Sequence, residues 1–168
     1  MEIEQVDVDI DKLCLDVASV FSITAEKKKL ELICSIEPGT PTFVKTDPVR
    51  LRQVLLNLIA NSIKFTTTGE VTVRVGSGAM AAGSKGVRFE VSDTGIGIPD
   101  DVRERLCQPF VQADSSIRRR FGGSGLGLSI VHRFLEAMGG SVEVSSVPGR
   151  GSSFRFTLRL PRAAEPAS

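Results

Sequence analysis

The chain has 168 residues, and its 21 Lys and Arg against 20 Asp and Glu leave a formal charge of +1, which excludes a basic nucleic-acid footprint and a polybasic membrane face. Hydrophobic content is 41 % and no apolar run nears the roughly 20 residues of a spanning helix, so the reading is one soluble domain without signal peptide or membrane contact. The cysteines Cys14, Cys34 and Cys107 lack metal-ligand spacing and read as reduced thiols of a cytosolic protein, and the single histidine, His132, excludes a two-histidine metal site.

In chain order, "IEQVDVDI" alternates apolar and polar residues and predicts a strand. Asp11 is expected to cap the helix that follows, with Leu13, Val17, Val20 and Phe21 at helical spacing. "LELICSI" predicts a second strand and "TFVKTD" a short extended piece after the turn "EPGTP". Asp47 and Pro48 open a helix running to about Phe65, a carboxylate cap followed by proline at the first helical position. "EVTVRVGS" and "GVRFEVSD" are strands, and Asp100 is expected to start a short helix after "DTGIGIP". Residues from about Gln108 to Gly123 have no period and read as a mobile loop. "GLGLSIVHRFLEAMGG" predicts a helix closed by a glycine pair, and "SVEVSSV" with "SSFRFTLRL" a hairpin around "PGRG". The expected fold is an α/β two-layer sandwich, a mixed sheet with about three helices on one face. It spans residues 1–160, and 161–168 read as a tail or linker.

The helix after Asp47 carries the most unusual pattern. Arg50, Gln53, Asn57, Asn61 and Lys64 share one narrow stripe, while Leu51, Val54, Leu55, Leu58 and Ile59 occupy the opposite arc. A solvated face would serve as well with Glu, Lys and Arg, which form helices better than asparagine. An amide oxygen is a neutral ligand suited to magnesium, and a lysine one turn on can meet phosphate. Three glycine stretches follow. In "DTGIGIP", Gly95 and Gly97 permit close backbone approach beside the acceptor-only carboxylate of Asp93. In "GGSGLGLSI", Gly122, Gly123, Gly125 and Gly127 leave backbone N–H groups at a positive helix end, where an anion is stabilised. "PGRGSSF" taken alone is only a hairpin turn.

In this order the stretches resemble the catalytic and ATP-binding domain of sensor histidine kinases, within the gyrase, heat-shock chaperone, histidine kinase and mismatch-repair ATPase superfamily. "DPVRLRQVLLNLIANSIKF" resembles the family's N box, "DTGIGIP" and "GGSGLGLSI" its two glycine boxes, and "GRGSSFRFTL" its closing strand. "QPFVQAD" resembles the F box of hybrid kinases, with Cys107 standing where the first phenylalanine is usual. The resemblance implies a Bergerat-type fold with a flexible lid, and ATP and Mg2+ as cofactors. It implies that Asn61 coordinates the metal, with Asn57 supporting it, that Lys64 contacts phosphate, and that Phe65 packs on adenine. Asp93 would accept from the adenine amino group in a pocket shaped by Gly95, Gly97 and Ile98, with Ser152 adding a water-mediated contact. Gly123, Gly125, Leu126, Gly127 and Leu128 would complete the nucleotide site, and Arg119 and Arg120 would reach the terminal phosphates.

Hydrolysing members of the superfamily resemble one another in a glutamate four residues before the magnesium asparagine. Here that residue is Asn57, and an amide cannot take a proton at neutral pH. The expected chemistry is therefore γ-phosphate transfer to a histidine on a separate dimerisation domain, resting on positioning and charge stabilisation. His132 does not match the acceptor pattern "HExxxP" and is expected to be a surface or half-buried helix residue. The chain reads as a cytoplasmic, monomeric module of a larger kinase, with its own phosphoacceptor domain and a receiver domain or response regulator as partners and no nucleic acid. A nucleotide-binding scaffold without transfer activity, a serine kinase of the anti-sigma type, and an interaction domain without nucleotide remain open alternatives.

Overall fold

A computed structural model describes residues 2–80, 85–97 and 125–163. The elements are β1 (Val6–Asp9), α1 (Ile10–Val20), α2 (Ser22–Lys27), β2 (Leu30–Ile36), β3 (Phe43–Thr46), α3 (Pro48–Phe65), β4 (Gly69–Ala79), β5 (Lys85–Asp93), α4 (Gly125–Ala137), β6 (Val142–Val147) and β7 (Gly151–Leu158). Five strands form a mixed sheet in the order β2-β4-β5-β7-β6, with β2 parallel to β4 and the other pairs antiparallel. β1 and β3 form a separate antiparallel ribbon.

Strand register explains where the core sits. Val75, Phe89, Phe156 and Val142 lie in one row across four strands, and Val73, Val91, Phe154 and Val144 in the next. All eight are buried, and the Phe89 and Phe156 rings stack with centroids 5.0 Å apart. Against this face pack α1, α3 and α4, with Leu51, Val54, Leu55, Leu58 and Ile59 of α3 at most 1 % exposed, the apolar arc that the spacing predicts. On the other face of the sheet the charges alternate: Arg74, Glu90, Arg155 and Glu143 stand side by side on β4, β5, β7 and β6. Their separations are 3.7, 4.0 and 3.8 Å, so opposite charges face each other directly across the β4–β5, β5–β7 and β7–β6 pairs.

Both ends of α3 are tied down. Asp47 caps the first turn, accepting from the Arg50 N–H at 3.1 Å, and also accepts from the Glu4 N–H and the Arg50 guanidinium at 3.0 and 2.7 Å. Burial opposes its ionisation, but these donors outweigh burial and hold the carboxyl below its ordinary range. At the far end the Lys28 ammonium donates to the Ile63 carbonyl at 2.5 Å, satisfying a helix C-terminus from outside the helix.

Four expectations change. Asp9, not Asp11, caps α1: its carboxylate accepts from Lys12 N–H, while Asp11 sits in the first turn. The strand predicted over "IEQVDVDI" is therefore cut to four residues, because Ile10 turns in as a fully buried helical residue. A short helix, α2, follows α1 where none is predicted. His132 is buried at 6 % exposure, since it shares the inward stripe of α4 with Leu128, Val131 and Leu135 at helical spacing. The expected helix at Asp100 and the loop from Gln108 to Gly123 lie outside the described residues.

Candidate nucleotide site

The third inward row of the sheet breaks the apolar pattern. In line with the two hydrophobic rows come Val71, Asp93, Ser152 and Ser146, so the face that builds the core turns polar at one end. Asp93, at the C-terminal end of β5, is only 7 % exposed. One of its oxygens accepts from the Gly95 and Ser152 N–H groups at 2.9 and 3.3 Å, and the other from the Ser152 hydroxyl at 2.7 Å. A buried carboxylate so held cannot rotate, and what remains of its acceptor capacity has a fixed direction.

The turn after Asp93 joins three distant segments. Ile96 N–H donates to the Phe65 carbonyl at 3.3 Å, and Gly149 N–H to the Ile96 carbonyl at 2.6 Å. A side chain at Gly95 would run into that same Phe65 carbonyl, and one at Gly97, where φ is +75°, into the backbone of Val147 and Pro148. The first glycine stretch is thus pressed between the end of α3 and the β6–β7 turn. "NSIKF", "DTGIG" and "GRGSS" meet at one place although some 85 residues separate the first from the last.

Along α3 the stripe becomes more enclosed toward this meeting point. Gln53 is exposed and donates to Asn57 Oδ1 at 3.0 Å; Asn57 is half-buried; Asn61 is 7 % exposed. Lys64 is exposed and Phe65 half-buried. One helical turn, about 6 Å, separates Asn57 from Asn61. Among the described residues the fully buried side-chain atoms without a partner are Thr46 Oγ1, Arg50 Nε and Ser62 Oγ, so the Asn61 amide, in a residue 7 % exposed, is enclosed without being sealed in the core. An amide oxygen at this position is a neutral hard ligand of the kind a cation such as magnesium takes. Among the described residues no three His, Cys, Asp or Glu side chains cluster to hold a metal, so an ion at Asn61 would draw its other ligands from elsewhere.

The backbone of Gly125, Leu126 and Gly127 opens α4, and Leu128 is buried in the core. Ile98, Arg119, Arg120 and Gly123 lie outside the described residues. Sequence reasoning missed the Arg50 guanidinium as a bridge: it pairs with Asp47 and lies 5.9 Å from the Phe134 ring, connecting α3 to α4. The signal was present, as Arg50 stands on the same stripe as the asparagines.

A family model described as histidine kinase-, DNA gyrase B-, and HSP90-like ATPase matches residues 46–162, and the chain belongs to that family. Its relatives narrow the class. It is 39 % identical over 97 % of its length to the sensor protein GacS of Pseudomonas syringae, and 41 % identical over 86 % to the signal transduction histidine-protein kinase BarA of Escherichia coli. The chain covers only 18 % and 16 % of these relatives. Among solved structures, full-length ShkA in complex with AMPPNP superposes with a TM-score of 0.81 at 39 % identity, over 99 % of this chain and 33 % of that one. The catalytic domain of histidine kinase ThkA gives 0.73 at 25 % identity, over 94 % and 97 %. The fold is that of a histidine kinase catalytic domain.

Proposed function

We propose that the chain binds Mg-ATP and passes the γ-phosphate to a histidine on a separate phosphoacceptor domain of a sensor kinase. The observation that carries the reading is the row in which the sheet's apolar face gives way to Asp93 and Ser152, beside the end of the helix that holds Asn61. A fixed acceptor at the base edge selects the amino group of adenine over the carbonyl of guanine, since the wrong base would leave buried polar groups unpaired. Phe65 packs on the base, with Gly95, Gly97 and Ile98 shaping the pocket.

Asn61 and Asn57 hold the metal and phosphate region, and Lys64 neutralises phosphate charge. Magnesium, when bound, supplies charge stabilisation on the transferring phosphoryl group. The N–H groups of Gly125, Leu126 and Gly127 face the phosphates at the positive end of α4, and Arg119 and Arg120, earlier in the chain, supply further positive charge to them. Asn57 cannot abstract a proton, so water is not activated from this stripe and the acceptor histidine must arrive on another domain. His132, buried in α4, is not that acceptor. The module is read as cytoplasmic; no helix among the described residues is long and apolar enough to cross a membrane.

The test mixes the chain with ATP alone and then with its own phosphoacceptor domain. Alone, it turns ATP over slowly and does not label itself. Together, the acceptor domain gains an acid-labile, base-stable phosphate, in a slow reaction that depends on concentration because the tether's effective millimolar concentration is missing. Asn61→Ala abolishes labelling. Rapid hydrolysis by the chain alone would contradict the role given to Asn57, and ATP binding without any transfer would favour a regulatory scaffold.

A further inference from the structure

We propose that Lys28 is a positioning residue of the nucleotide site, which sets where Lys64 and Phe65 stand by holding the last turn of α3 from outside the helix. The inference rests on the nucleotide reading given above and extends it to a segment 35 residues away in sequence. Three lysines in a row, Lys27, Lys28 and Lys29, would serve as an ordinary solvated run. In the fold Lys27 and Lys29 are exposed, and Lys28 alone is half-buried. Its ammonium donates to the Ile63 carbonyl at 2.5 Å, one residue before Lys64 and two before Phe65. The turn that aims it is a costly one: Lys29, with φ +58°, is the only non-glycine residue of positive φ among the described residues. That turn delivers the chain into β2, whose first residue, Leu30, pairs with Gly69. The adjoining Glu70 N–H donates to Thr94 Oγ1 at 3.0 Å, and its carbonyl accepts from Thr94 N–H at 3.2 Å. Lys28 therefore stands at the end of the sheet that carries Asp93.

A helix leaves its last carbonyls without partners of its own. In α3 other groups take them up one by one. The Ser62 carbonyl accepts from the Thr66 hydroxyl at 2.7 Å, and the Phe65 carbonyl from Ile96 N–H at 3.3 Å. Between them, the Ile63 carbonyl has only a long bond from Thr66 N–H, at 3.4 Å, so the lysine is its main donor. The ammonium also sets a positive charge at the negative end of the helix. With Lys28 gone, the turn bearing Lys64 and Phe65 frays locally, as helix ends do. The body of α3 stays in place, because Leu51, Val54, Leu55, Leu58 and Ile59 remain packed in the core. Apparent affinity for nucleotide then falls by the fraction of molecules whose last turn is formed. Once nucleotide is bound and the turn is ordered, the transfer step proceeds as before.

The experiment titrates the whole chain with Mg-ATP in a calorimeter, well below the melting temperature. It compares Lys28→Met, which keeps the stem and deletes the donors, with Lys28→Arg, which keeps a cationic donor, and with Lys27→Met at an exposed position. Lys28→Met weakens ATP binding about 5- to 20-fold, within what a hydrogen bond to a charged group contributes. Lys28→Arg recovers most of that loss, and Lys27→Met loses nothing. In transfer to the acceptor domain, Lys28→Met raises the KM for ATP by a similar factor and leaves kcat within about twofold. Should Lys28→Met not fold, Lys28→Gln, a donor on a shorter arm, is read against Lys28→Arg in its place. A Lys28→Met chain that melts lower yet binds ATP like the unsubstituted chain has lost stability alone and overturns the proposal. A fall in kcat with KM unchanged overturns it too. Absence of ATP binding by the unsubstituted chain would instead sink the nucleotide reading itself.

Discussion

Asp93 is a carboxylate whose neighbours were chosen by strand register. Val71 and Ser152 flank it across β4 and β7, and Ser152 donates twice, by backbone and by hydroxyl. Asp93→Asn keeps the shape but leaves one oxygen to serve Gly95 and Ser152 and, on the proposed function, the base. It weakens ATP binding by about 1–3 kcal/mol in calorimetric titration. On the proposed function GTP binds weakly from the outset and changes far less, and equal losses for the two nucleotides would remove the base-reading role. Ser152→Ala deletes only the hydroxyl bond and costs about 1 kcal/mol of stability, read from chemical denaturation. Of this arrangement the sequence exposes Asp93 and the glycines, because a strand ending in Asp-x-Gly is a local pattern. It does not expose the double grip of Ser152, a contact across 59 residues that only pairing creates.

The element on which everything hangs is α3, and its amino-acid pattern makes it legible from end to end: Asp cap, Pro at the first turn, apolar arc, amide stripe. What was hidden is what lies beyond the helix, namely Glu4 at its start and Lys28 at its finish. Similarly, both Asp9 and Asp11 could cap α1, and burial of Ile10 decides between them. The helical stripe holding His132 is evident from spacing, yet which arc faces inward depends on where α3 sits. Asp47 supplies a pH test. Its folded pKa lies below the unfolded value, so its stabilisation is fully present above the unfolded carboxylate range near pH 4 and is lost as pH falls through the folded pKa. Asp47→Ala costs about 1–2 kcal/mol near neutrality through the lost cap. Urea melts at descending pH should show the difference from the unsubstituted chain narrowing in acid, and a constant gap would mean that the charge contributes nothing.

At the scale of the whole molecule, one hydrophobic layer between the helices and a single face of the sheet supports both the fold and the site. Phe89 stands at its centre, fully buried and stacked on Phe156. Phe89→Ala costs about 3–5 kcal/mol in equilibrium unfolding, a large share of what a domain of this size has. The charged ladder on the other face is worth far less: its pairs are long and partly exposed, so Arg74→Ala costs under about 1 kcal/mol and less still in high salt. The remaining feature is the small ribbon around β3. β1 runs antiparallel along one edge, and on the other Lys45 N–H and Ala163 N–H bond Pro161 and Phe43, with Arg162 opposite Val44. β1 enters at the Thr46 end and the 161–163 segment departs at the Phe43 end. A pull applied to the two outer strands therefore slides them past β3 in opposite directions, loading the ribbon's hydrogen bonds together in shear instead of unzipping them singly. The load closes through β1, β3 and the 161–163 segment, and the five-stranded sheet with its row of Asp93 and Ser152 stays outside the path of the force.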